Sequence, residues 1–243
     1  MRFIETEELY KKRDTWGNSG EVWKNEKLKS DFREIFHNKC WYTEVRLVGQ
    51  DVHIDHFRPK SEVTLYKDYH YNEPLKSSGY YWLKNDVSNY RASCIYANRK
   101  TGEGGKGTYF PLKRGSLLLF EGSSNDEESM LLDPLKKEDV KLITFFGGQI
   151  ECATEDEYEK QRVQVSKEIY NLIDPSIKKE RLSVWYNVEK IIEEYIEGEI
   201  SRKACMRQLQ DAVSRESPFS ACAIACVNSL APDDIKAELD LEL

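Results

Sequence analysis

No run of about eighteen apolar residues occurs in this 243-residue chain, which excludes a membrane-spanning helix of the usual length. The first residues, MRFIETEELYKKRD, carry neither an apolar stretch nor a small-residue cleavage site, so the expectation is no signal peptide and a cytoplasmic location. The six cysteines follow no secreted-disulfide spacing; free thiols or the remains of a metal site are expected instead. Cations are in deficit, with 36 Lys and Arg against 43 Asp and Glu and a net charge of −7, which argues against a protein that coats nucleic acid by charge alone. Internal repeats and long low-complexity segments are absent. Histidine is the scarcest chemically active residue. The chain has four, at 37, 53, 56 and 70, and all fall in one N-terminal stretch.

What is present suffices for a globular fold. A hydrophobic fraction of 40% beside 33% charged residues is enough for a core, and the length suits one domain or one domain with a helical extension. Charge is uneven: seven cations between Lys84 and Arg114 face only Asp86 and Glu103, whereas acids dominate from Glu121 to Glu159. Helices are expected at 5–15 and 20–37, where Trp23, Leu28, Phe32, Ile35 and Phe36 recur at helical spacing. Residues 45–56 alternate around GQD and predict a β-hairpin, ended by Pro59. Residues 61–79 read as a polar loop, 89–100 as a short helix, and 102–107 (GEGGKG) as a turn. Gly147-Gly148 centres a second hairpin at 139–152. Helices follow at 155–173, from Asp174-Pro175 to about Glu197 with Gly198 closing it, at 200–215, and after Ser217-Pro218.

HIDHFRPKS at 53–61 holds the densest chemistry. Asp55 is a hard oxygen donor suited to Mg²⁺ or Mn²⁺, and the imidazole of His56 can take a proton from water. On a regular strand His53 and Asp55 share one face, with Ile54 and His56 on the other, unless the strand twists or ends there. An amide from a following helix completes such a site, and Asn89 and Asn98 are available in NYRASCIYANRK at 89–100.

Taken together, these two segments resemble the HNH, or ββα-metal, nucleases. KCWYTE at 39–44, GYYWL at 79–83, GKGTYFPL at 105–112, LLDP at 131–134 and SPFSA at 217–221 extend the resemblance to the HNH subunits of Septu and retron-associated anti-phage systems, the PtuB-like proteins. It covers the chain from about residue 38 to the last helix. It implies an α+β fold: N-terminal helices over 1–37, a nuclease core over 38–115, a loop and second hairpin over 116–153, and a helical region over 154–243 packed on the core. It also implies a Mg²⁺- or Mn²⁺-dependent endonuclease acting on DNA with an ABC-type, PtuA-like ATPase as partner and no membrane. The alternatives are cleavage of RNA such as tRNA, or a catalytically weak scaffold that binds or regulates.

The resemblance assigns roles. Asp55 and Asn98 are the metal ligands, with His53 a candidate third ligand or phosphate contact and equally a packed strand histidine. His56 is the general base, and Asn89 stands beside it as the residue that holds the loop and orients it. Arg58, Lys60, Arg99 and Lys100 face phosphates. One departure concerns zinc. Relatives carry two CxxC pairs, whereas here CWYT and CIYA put Thr43 and Ala97 in the second positions. Cys40 and Cys94 alone are a poor zinc site, so no structural zinc is expected. Tyr80, Tyr81 and Trp82 read as core or base-stacking residues, His70 as surface, His37 as a remote substitute ligand, and Cys222 and Cys226 as small buried residues of an apolar helix.

Overall fold

The protein is described by a computed structural model over residues 1–65, 75–100, 104–116, 118–122 and 127–242. The architecture is α+β, with three two-stranded antiparallel sheets set among helices. The N-terminal segment holds α1 (Glu7–Lys12), two short 3₁₀ turns and α2 (Glu26–Glu34). Helix α2 starts later than the spacing predicts because Asn25 caps it, accepting from the Lys27 and Leu28 amides and so ending the preceding turn. Its buried Leu28 and Phe32 reach the core, where the Phe32 ring stacks on Trp41 at 5.3 Å.

Strand β1 (His53–His56) does not pair within a 45–56 hairpin. Its partner is β4 (Tyr90–Ser93), with Asp55 opposite Arg91 and His56 opposite Tyr90. The alternating residues 45–48 instead close a knuckle over 38–47, where Lys39 bridges Arg46 and the Cys40 and Leu47 amides bond the Val45 and Asn38 carbonyls. Asn38 and Glu44 take the left-handed conformation that makes this tight reversal. Every residue of β4 is buried, Arg91 and Ser93 included, and its four residues are too few for their alternation to mark a strand within 89–100; the helix α3 is only Ile95–Asn98. The segment read as a loop contains β2 (Glu62–Leu65) and β3 (Leu75–Ser78), paired Glu62 to Ser78 and Leu65 to Leu75. His70 lies outside the described residues.

The C-terminal half follows the expected pattern more closely. A short helix α4 (Lys137–Val140) precedes β5 (Ile143–Phe146) and β6 (Gln149–Cys152), which turn at Gly147-Gly148, both with positive φ. Helices α5 (Glu157–Ile169), α6 (Pro175–Ile196), α7 (Arg202–Val213), α8 (Ser220–Leu230) and α9 (Asp233–Lys236) complete the chain. Asp174 caps α6 by accepting from the Ser176 and Ile177 amides, ahead of Pro175. The buried face of α6 includes Arg181, which donates to the carbonyls of Gly148 at 2.7 Å and Leu172 at 3.2 Å; Ile196 at its last turn is exposed. Helix α8 is capped by Phe219 in the left-handed conformation rather than by Ser217-Pro218, because the Ser217 hydroxyl is spent on the Asp211 carbonyl. Cys222 and Cys226 are buried on α8, against the Arg181 and Trp185 carbonyls of α6.

The "LLDP" segment joins the two halves. Arg91 of β4 makes a bidentate pair with Asp133, through Nε at 2.8 Å and Nη2 at 2.7 Å, and both residues are buried. Arg162 of α5 repeats the motif on Asp139, at 2.7 and 2.8 Å. Ser166 of α5 and Tyr170 just after it bond the amide and carbonyl of Leu132, respectively. Strand β4 is therefore anchored from the helical side, and with it the register that presents β1. No helix among the described residues is long and apolar enough to cross a membrane.

A candidate active site at the end of strand β1

Strand β1 ends at His56, and the chain turns away where the Phe57 amide bonds the Asn89 carbonyl at 2.8 Å. This ending defeats simple strand alternation: Ile54, Asp55 and His56 all line one cleft of about 140 Å³. Pro59, Lys60, Ser61 and Glu62 just beyond, Asn98 of α3, and Gly107 and Thr108 complete its wall. A carboxylate, an imidazole, an amide and an ammonium thus meet where the sequence placed them in two separate stretches.

Each polar group is held by named contacts. Asp55 is 4% exposed, and its Oδ2 accepts from the Tyr42 hydroxyl at 2.7 Å while its Oδ1 accepts from Lys106 at 3.0 Å. His56 is 6% exposed, wedged edge-on between Trp23 at 5.0 Å and Tyr90 at 5.1 Å. Its Nε2–H donates to the Lys84 carbonyl at 2.9 Å, which leaves Nδ1 as the basic nitrogen. Burial, aided by Lys60 and Lys106, brings the His56 imidazole down to about 4, against the Lys84 carbonyl and Asp55. The ring is therefore neutral, and able to accept a proton, throughout the physiological range.

That shift has a consequence for stability. The folded value lies below the ordinary value near 6.5, so a neutral His56 contributes stability above pH ~6.5 that is lost as pH falls toward about 4. Urea unfolding of the wild type between pH 7 and 4.5 is expected to show this loss. His56→Ala should lower stability at pH 7 yet flatten the slope; an unchanged slope would mean that other groups carry it.

Asn89 acts on backbone rather than on the cleft. Its side chain accepts from the Arg58 amide at 2.7 Å and donates to the Arg58 carbonyl at 2.9 Å, so it clamps the turn that follows His56. Asn98 donates through Nδ2 to His53 Nδ1 at 3.3 Å. His53 is half-buried beside Asn98 and is not part of the cleft wall. Of the four expected phosphate-facing cations, Lys60 is at the cleft, its ammonium 4.7 Å from the Trp23 ring centroid. Arg99 and Lys100 are exposed past the end of α3, Lys100 donating to the Tyr109 hydroxyl at 2.8 Å. Arg58 is committed elsewhere: it pairs with Glu127 at 2.7 Å, which also accepts from the Tyr80 hydroxyl. Tyr80 is buried in the core and Tyr81 is exposed.

The two degenerate CxxC segments do come together. Cys40, Thr43, Cys94 and Ala97 are all buried, and the Trp41 amide bonds the Ala92 carbonyl at 2.9 Å. Thr43 Oγ1 lies 3.8 Å from Cys94 Sγ, and the Cys40 thiol donates to Ser93 Oγ at 3.9 Å. Both cysteines are free thiols. The hydrogen bond to Cys40, and burial, push the Cys94 thiol far up. Among the described residues no group of three or more His, Cys, Asp or Glu is placed to hold a metal, and His37 is exposed in a left-handed turn. The same knuckle carries Tyr42, whose ring stacks on Tyr170 at 4.0 Å as its hydroxyl reaches Asp55.

Two residues of the site escaped sequence reasoning, Tyr42 and Lys106. Both lie in segments that carry the resemblance, CWYT and GKGT, but nothing local marks a tyrosine or lysine there as a partner of Asp55. Asp55 and Asn98 remain the oxygen donors a hard cation needs. A carboxylate has about four acceptor positions, of which Tyr42 and Lys106 take two. The residues present therefore fit a Mg²⁺-like ion that keeps most of its waters.

An α+β chain that gathers a buried carboxylate, a neutral imidazole and an amide on one polar cleft has the groups of a hydrolytic site. The chain is similar to the Septu protein PtuB of Bacillus mycoides (strain KBAB4), 27% identical over 194 residues, which are 79% of this chain and 62% of that protein. The relationship is PtuB-like, and the matched part spans just under two thirds of the length of that relative. No family model matches the chain.

Proposed function

We propose that the chain is a metal-dependent endonuclease of the HNH, ββα-metal kind, acting as the effector of an anti-phage defence complex with an ABC-type ATPase. The observation that carries this reading is the cleft itself, lined by Asp55, His56 and Asn98. Strands β1 and β4 followed by α3 supply the two strands and the helix such a core needs. Similarity to PtuB supports the Septu setting.

In this reading His56 Nδ1 takes a proton from the water that attacks phosphorus, with Lys84 holding the ring through Nε2. Asn89 keeps the Phe57-Arg58 turn in place so that the base faces the cleft. Asp55 and Asn98 would hold Mg²⁺ or Mn²⁺, which when bound stabilises negative charge on the phosphoryl and leaving 3′ oxygens. Lys60 at the cleft, with Arg99 and Lys100 on the exposed end of α3, draws the phosphate backbone. Products carry 5′-phosphate and 3′-hydroxyl ends. With a net charge of −7 the chain alone binds substrate weakly, and the ATPase supplies affinity and control. The substrate we propose is DNA, with RNA decided by the same assay: both are incubated with Mg²⁺ or Mn²⁺, with and without the ATPase, and the ends are mapped. A non-catalytic scaffold has one observation in its favour, the engagement of both Asp55 oxygens by protein donors.

We also propose that the knuckle holds without zinc, through Trp41 packed on Phe32, Tyr42 packed on Tyr170, and the Thr43–Cys94 contact. Metal analysis of purified protein should find far less than one zinc per chain. Stoichiometric zinc that only denaturation releases would refute this.

A further inference from the structure

Lys106 is fully buried, yet nothing in its local sequence calls for a buried charge. Its ammonium contacts Asp55 Oδ1 at 3.0 Å and the His56 carbonyl at 2.6 Å. Its own amide donates to the Ala97 carbonyl at 2.8 Å, and the next amide, of Gly107, donates to the Asn98 carbonyl at 2.7 Å. One residue therefore connects the carboxylate, the end of β1 and the end of the helix that carries Asn98. The preceding Gly105 makes this approach possible. It has φ +93°, and a Cβ there would lie 2.0 Å from the Arg99 carbonyl oxygen.

We propose that Lys106 is a built-in cation of the Asp55 site: a positioning residue that locks β1 to the end of α3 and weakens the hold of the site on a divalent ion. The proposal rests on the reading of Asp55 as a metal ligand. A carboxylate already in contact with an ammonium presents a nearly neutral pair to an incoming ion, and the fixed positive charge repels that ion over a short, poorly solvated distance. Such an arrangement keeps Asp55 ordered while leaving the metal exchangeable.

The test is direct Mn²⁺ binding, followed by electron paramagnetic resonance on the full chain. It compares the wild type with Lys106→Met, Lys106→Gln and Asp55→Asn, each checked for cooperative thermal unfolding. Both Lys106 variants are expected to bind Mn²⁺ about tenfold or more tightly than the wild type, while Asp55→Asn loses the site. Binding seen only once Lys106 is replaced would support the proposal equally. Unchanged or weaker Mn²⁺ binding in a folded Lys106 variant would overturn it, because a purely structural residue shifts the melting temperature and not the ion affinity. If Lys106→Met fails to fold, Lys106→Gln, which keeps a hydrogen-bond donor, decides. Failure of both to fold would make the residue structural alone and overturn the proposal. If Asp55→Asn binds as the wild type does, the metal-ligand reading fails on its own; if no protein binds Mn²⁺, both fall.

Discussion

Replacing His56 by alanine is expected to lower cleavage in Mg²⁺ or Mn²⁺ by about a hundredfold to ten-thousandfold, the range a positioned general base supplies. The loss should appear in kcat, because the groups proposed to hold the ion and the backbone phosphates are untouched. The His56 side chain makes one hydrogen bond, to the Lys84 carbonyl, and packs between Trp23 and Tyr90. Alanine leaves a cavity there, and the Tyr90 hydroxyl still bonds the Lys84 carbonyl at 2.6 Å, so that acceptor stays satisfied. The variant should therefore fold and still assemble with the proposed ATPase partner. Cleavage rates together with melting curves separate the two effects. A folded His56→Ala protein with full activity would remove this residue as the base.

The second large effect concerns stability. Asp133→Ala is expected to cost about 3–5 kcal/mol in urea unfolding, because it strands a charged guanidinium in the core. Arg91 is 3% exposed, and Asp133 is its bidentate partner. Arg91 also stands opposite Asp55 in the ladder, so its displacement reaches the cleft directly. Burial alone would raise the Asp133 carboxyl, but Arg91 brings it below its usual value. The pair therefore contributes stability above pH ~4 that fades as the carboxyl protonates in more acid solution. Replacing both partners, as Arg91→Met with Asp133→Leu, should recover much of the loss, since no charge is left unpaired. A single Asp133→Ala variant as stable as the wild type would show that the pair does not anchor β4.

What could be read from the chain divides along locality. Asp174-Pro175 and Gly147-Gly148 act on their own neighbours, so the start of α6 and the β5–β6 turn were visible as a cap and a tight turn. Strand β1 was placed correctly at its C-terminal end but given the wrong partner. Its true partner lies some 37 positions on and has only four residues, too few for the alternation in YRAS to stand out. The β2–β3 pair is not legible because each strand has only four residues, and the buried Val63, Thr64 and Leu65 of β2 face a β3 in which Lys76, Ser77 and Ser78 are polar, too short an apolar signal to mark strands. In the site, Asp55, His56 and Asn98 stood out as residue types with a spacing. Tyr42 and Lys106 did not, because their role exists only once the knuckle at 40–43 and the turn at 105–107 close on Asp55. Arg58 was expected at phosphate, but Glu127, distant in sequence, claims it.

The measurement closest to the central claim is end-mapped cleavage of DNA and RNA by the chain together with the proposed ATPase partner, in Mg²⁺ or Mn²⁺ and in excess chelator. The account predicts cleavage that requires the divalent ion and leaves 5′-phosphate and 3′-hydroxyl ends. Cleavage that persists in chelator, ends of the opposite polarity, or no cleavage of either nucleic acid with the complete complex would contradict it.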